Sequence, residues 1–249
     1  MYFHITTDYS NYYAMIQPYY DGKHHYMDKV FLGSKKKCMV MSIYLDSDEP
    51  NIDSFGHNSN CNTSYDLAKK QGSIHMLKTG VSFIRKFYKD YFKLHKIKYI
   101  QLKDKADIDC MRDTLQNLAT FYIVKHKKTW YEKNFECIPA IIPIEKYSKD
   151  CNALFTSMNT KPDINFGQKN KKLTELYTRY ATFKDFFTYL AANFDCRIYK
   201  DWLDEYVSDY IPYLYGMKWK MPFNKANKIK ITLKKLDERP KDLFIMKRN

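Results

Sequence analysis

Glycine and proline are scarce, at 7 and 8 of 249 residues. With 45% apolar residues beside them, this excludes a chain held disordered by its composition. The length allows one large domain, or one domain with a smaller companion. The six cysteines are far apart and form no CxxC pair, so the spacing of a zinc site is missing. A chain of this size buries enough core to do without disulfide staples, and reduced cytosolic thiols are expected. No stretch reaches the ~18 apolar residues that a membrane span requires. Met1-Tyr2-Phe3-His4 lacks the basic head and apolar run of a signal peptide. The expectation is a cytoplasmic protein without a transmembrane segment, or one packed into a particle made in the cytoplasm. No internal repeat and no Ser/His/Asp arrangement stands out. The adjacent His24 and His25 would point to opposite faces of a strand, so no metal site is expected.

Acidic residues are also outnumbered, 28 Asp and Glu against 42 Lys and Arg, for a net charge of +14. That balance draws a protein towards nucleic acid, anionic surfaces or polyanionic cofactors. Aromatics reach 17%, with 23 Tyr and 16 Phe. Together with abundant Lys, Asn and Ile they read as the codon usage of an AT-rich genome, so tyrosine counts carry little functional weight.

The chain opens with short strands. Tyr13 to Gln17 is one, ended by Pro18, and Asp21-Gly22 marks a turn. Cys38 to Leu45 is the strongest, apolar enough for a sheet covered on both faces. Asp46, Asp48 and Glu49 follow it, and Pro50 stops it. After a polar loop, Gly72 precedes a helix with Leu77, Val81, Ile84, Tyr88 and Tyr91 on one face. Ser73 is its expected N-cap, and the helix start offers free N–H groups to an anion. Tyr99 to Leu102 is a strand. A helix from Arg112 or Asp113 is expected to carry Leu115, Leu118, Ala119, Tyr122 and Ile123. Cys137 to Ile144 reads as an edge strand broken by prolines. Residues 145 to 170 read as a boundary. Beyond it lie helices marked by Leu173 and Tyr177, by Phe183 to Leu190 behind a Thr182–Asp185 cap, and by Trp202 to Tyr210. The tail holds the alternating run Lys228 to Leu233.

Strand, glycine turn, helix, strand, helix and then Tyr131-Glu132-Lys133-Asn134-Phe135: this order resembles the GNAT family of N-acetyltransferases over about residues 10 to 145. The resemblance implies a mixed, largely antiparallel α/β sheet flanked by helices in 1–145, followed by a smaller, mostly helical and basic region in 146–249. It also implies acetyl-CoA as cofactor. The pyrophosphate would rest on the amides of Gln71, Gly72, Ser73 and Ile74, with Lys69 and Lys70 adding charge. The acid that protonates the leaving thiolate would be Tyr131 or Tyr122, and the base Glu49, Asp46 or Asp48, with His75 a further candidate. The acceptor would be an amine on a small molecule or a protein. Ile74 stands where the family has Gly or Ala, and the last motif lacks its glycine. The same resemblance therefore also admits an inactive scaffold, acting as a basic virion-structural or nucleic-acid-associated protein.

Overall fold

The computed structural model describes residues 1–56, 61, 72–87, 97–103, 107–110, 114–167, 171–223, 229–241 and 243–244. The protein is of mixed α+β class. Its contacts divide it into two compact units, Met1–Lys103 with Lys220–Asn249, and Asp104–Trp219. The division thus falls at 103/104 and 219/220 rather than at 145/146. The last thirty residues return to the first unit because they carry strands that the N-terminal sheet takes up.

The first unit opens as an antiparallel meander: β1 (Tyr2–Thr7), β2 (Asn11–Asp21), β3 (His24–Gly33), β4 (Lys37–Tyr44) and β5 (Asn51–Phe55). Helix α1 (Gly72–Phe87) then leads to β6 (Tyr99–Lys103), which runs parallel to β5. The sheet order in this unit is β11-β1-β2-β3-β4-β5-β6-β10, where β10 is Lys218–Pro222 and β11 is Ile231–Leu236. β11 lies antiparallel to β1, with Tyr2 opposite Leu236. β2 runs through Pro18 to Asp21. The N–H of Ile16 reaches back to the carbonyl of Met1, so at Pro18 the same side of β2 lies past the end of β1, where a missing N–H costs no ladder bond.

Both faces of this sheet are covered, as the apolar run of β4 requires. On one face α1 sets Leu77, Phe83 and Ile84 into the core, and Gly80 lets the helix approach the buried Met39 of β4. On the other face Leu243 and Phe244 pack on Phe31, with Tyr2, Tyr13, Met15 and Val40 around them.

The second unit holds the hairpin β7 (Asp107–Cys110) and β8 (Thr114–Asn117), then α2 (Leu118–His126), α3 (Trp130–Phe135), β9 (Ile138–Pro139), α4 (Ile144–Met158), α5 (Lys171–Thr178), α6 (Phe183–Asn193) and α7 (Lys200–Ser208). β9 is an edge piece beside the first residue of β10, where the Ala140 N–H donates to the Lys218 carbonyl. The helix expected from residue 112 starts at Leu118, because the Asn117 side chain accepts from the Thr120 N–H and ends the strand there. Leu115, expected on that helix, lies instead in β8 and is 49% exposed. The expected boundary at 145–170 contains the 15-residue α4, whose Tyr147, Cys151, Leu154 and Met158 are buried at helical spacing. Thr182 does cap α6, accepting from the Asp185 N–H. Thr129 and Glu132 form a full capping box on α3. An aromatic core of Phe166, Phe183, Phe186 and Trp202 fills the unit.

Four cysteines are paired, against the expectation of free thiols: Cys38 with Cys61 and Cys110 with Cys196, at Cα separations of 5.6 and 5.7 Å. The partners are 23 and 86 residues apart in sequence, and folding alone brings them within bridging distance. Cys137 and Cys151 are outside these disulfides and buried.

Candidate functional site

Strand β5 is paired unevenly. Towards β4 it is bonded along its length, with Asp53 inserted as an extra residue between Ile52, opposite Met41, and Ser54, opposite Val40. Such a bulge bends the strand and turns its backbone groups away from the ladder. Towards β6 the described residues form two pairs, Asn51 with Gln101 and Ile52 with Leu102. From Asp53 to Phe55 the pairing with β4 continues. The Asp53 carboxylate itself accepts from the Ser42 hydroxyl at 2.6 Å.

The paired end of β5 and β6 is braced. The Gln101 amide and the Lys220 ammonium both donate to Glu49, the latter at 3.0 Å, joining the approach to β5 with β6 and β10. Partial burial pushes the Glu49 carboxyl up, but these two donors and the Lys220 charge outweigh it and hold it below the ordinary value. A carboxylate so held is a brace and a weak proton acceptor. Asp46 and Asp48 are exposed beyond the end of β4.

At the mouth of α1, Gly72 is buried and Ser73 and Ile74 are half-buried. The helix begins at Gly72, so Ser73 lies within the first turn and is not its cap. Lys69, Lys70 and Gln71 are outside the described residues, as are Tyr88 and Tyr91. His75, one turn in, is buried by the sheet. Its Nδ1 is 3.0 Å from the Tyr12 hydroxyl and its Nε2 3.3 Å from the Thr7 hydroxyl. The Thr7 hydroxyl donates to the Ser10 carbonyl, so the network is closed when Nε2 carries the proton and Nδ1 accepts from Tyr12. This arrangement fixes helix to sheet.

Tyr122 and Tyr131 belong to the second unit. Tyr131 is 1% exposed, between Trp130 and Trp219, and serves the core. Tyr122 on α2 is half-buried against His126, with the Lys133 ammonium 5.6 Å from its ring centre. Burial pushes its phenol up, so it stays protonated at neutral pH.

The second unit also carries a groove of about 940 Å³, unmarked by any sequence motif, between β8, the start of α2, and the stretch from α7 to Tyr215. The half-buried Asp204 stands in it, accepting from the Gln116 amide at 3.0 Å. Gln116 and Asp204 are 88 residues apart, which is why no sequence pattern joins them.

No family model, curated protein or solved structure matches this chain. Among the described residues, no helix is long and apolar enough to cross a membrane.

Proposed function

We propose that the chain is an acetyl-CoA-dependent N-acyltransferase of GNAT type, with the cofactor beside the parallel pairing of β5 and β6. The observation that supports this reading is that pairing between the strands that precede and follow α1 in the chain, with the Asp53 bulge directly beyond its described pairs. A bulge turns backbone N–H and C=O groups out of the ladder, where the amides of a pantetheine arm could meet them. The first turn of α1 offers its N–H groups to a diphosphate, with Lys69 and Lys70 as added charge.

Acetyl-CoA supplies an activated thioester, and the acceptor is an amine. In this reading Glu49 is set aside as the base, because it is committed to Gln101 and Lys220, which leaves Asp46 or Asp48. A second reading is an inactive, basic scaffold that binds nucleic acid or an anionic surface. It draws on the exposed lysines Lys230, Lys234 and Lys235 along and beside β11.

Thermal unfolding with and without acetyl-CoA tests the first reading. A ligand that binds only the folded state at a hundred times its Kd adds about 2.7 kcal/mol, so a clear rise in melting temperature is expected. An unchanged melting temperature at millimolar acetyl-CoA removes it. Binding to duplex DNA that weakens steeply with salt would then favour the scaffold.

A further inference from the structure

From the groove of the second unit we infer a binding site for an organic cation, a primary amine carried on an apolar or aromatic body. The inference is independent of the acyltransferase reading.

The walls are apolar: Leu115, Val207, Ile211, Leu214 and the ring of Tyr215, which is 67% exposed. A volume of about 940 Å³ lies within the range of small-molecule pockets. On α7, Lys200, Asp204 and Ser208 follow at four-residue steps and share one face, so the carboxylate sits midway along the groove.

The polar end supplies hydrogen-bond donors to Asp204. Its Oδ1 accepts from the Gln116 amide, and the Thr120 hydroxyl also bonds to it. Gln116 is fully buried, and among the described residues its Oε1 accepts no hydrogen bond. Its amide is thus turned donor-first to the carboxylate, at the expense of its own oxygen. Among the described residues no cation lies within ion-pair distance of Asp204 or of its neighbour Glu205, which also lines the groove. Lys200, the one ammonium among the described lining residues, bonds to Asp201 at 3.2 Å, and its charge reaches Asp204 without forming an ion pair with it.

A net acidic groove in a chain of charge +14 repels anions and selects cations. Within the described residues no cluster of three metal-ligating side chains occurs, and the apolar walls would contribute nothing to a bare ion. What fits is an ammonium on Asp204 with an apolar body along Val207 and Ile211, and a ring against Tyr215.

The probe is tryptamine, compared by calorimetric titration of the full chain with tryptophol, which keeps the indole and replaces the ammonium by a hydroxyl. Saturable tryptamine binding is expected, at least about tenfold tighter than tryptophol. In Asp204→Asn the preference should vanish while tryptophol binding is unchanged. Equal affinities, no saturable tryptamine binding at millimolar concentration, or a preference that survives Asp204→Asn would each overturn the inference. Should Asp204→Asn fail to fold, the comparison in the unmodified protein decides alone. Tyr215→Ala, a change at an exposed ring, should then weaken both ligands, and unchanged affinities would count against the groove as their site.

Discussion

Glu49 shows how a single side chain can look catalytic in sequence and structural in space. It follows a central strand in an acidic run, where a base is expected, yet its partners are Gln101 and Lys220, the latter 171 residues away. Because its folded pKa is depressed below 4.5, its contribution to stability is complete above that unfolded value. The contribution is lost as pH falls through the folded value. Glu49→Gln is therefore expected to lower stability at pH 7 by about 0.5–1 kcal/mol, the range of a partly exposed ion pair. In urea titrations the gap should close as pH is lowered below 4.5, since the wild-type group then becomes neutral too. An equal deficit at every pH would show that shape, not charge, is what Gln fails to supply. Asp204 illustrates the opposite case. Burial raises its pKa, its ionised form costs stability, and it is still provided with donors, as expected of a group kept for binding.

At the level of elements, the sequence is most legible where period and burial agree. The apolar run of β4, the Leu77–Val81–Ile84 stripe of α1 and the Thr182 cap of α6 are all where local pattern places them. α4 was equally periodic, but its Ser, Lys and Asn content resembles a linker, and only burial of its narrow stripe reveals it. The start of α2 and the β7–β8 hairpin are not legible in the sequence because Leu115 continues the helical spacing by coincidence, while Asn117 breaks it. Gly80 was invisible for another reason. Nothing local requires glycine in the middle of a helix, and its cause is β4. A methyl group there would stand 2.5 Å from the Met39 sulfur and 2.8 Å from its terminal carbon. Alanine gains about 1 kcal/mol of helix propensity, against about 1–3 kcal/mol of overpacking. Since Met39 is fully buried and has little room to move, the net expectation for Gly80→Ala is a loss of about 1 kcal/mol. Met39→Ala should cost measurably less in the Gly80→Ala background than alone. A double-mutant cycle read from unfolding midpoints checks this, and strict additivity would mean that helix and strand do not press on each other at this point.

For the whole molecule, what sequence could not reveal is long-range pairing. β11 beside β1 pairs segments from the beginning and end of the sequence, and Cys110 and Cys196 are separated by most of the second unit. The expectation of reduced thiols rested on size, which says whether a chain needs staples and not whether its cysteines meet. Cys110–Cys196 closes the larger loop, 86 residues, and Cys38–Cys61 closes one of 23. In the chain-entropy account these restrict the unfolded chain by about 4–5 and about 3–4 kcal/mol respectively. Replacing both cysteines of a pair by serine should therefore lower the unfolding midpoint more for the 110–196 pair than for the 38–61 pair. Thiol counting gives the complementary measurement. The unreduced protein, opened in denaturant, should show two reactive thiols, Cys137 and Cys151, and six after reduction. Six before reduction would restore the free-thiol reading. Two thiols, with a melting temperature that falls on adding reductant, would place part of the molecule's stability in cross-links that form only where thiols can be oxidised.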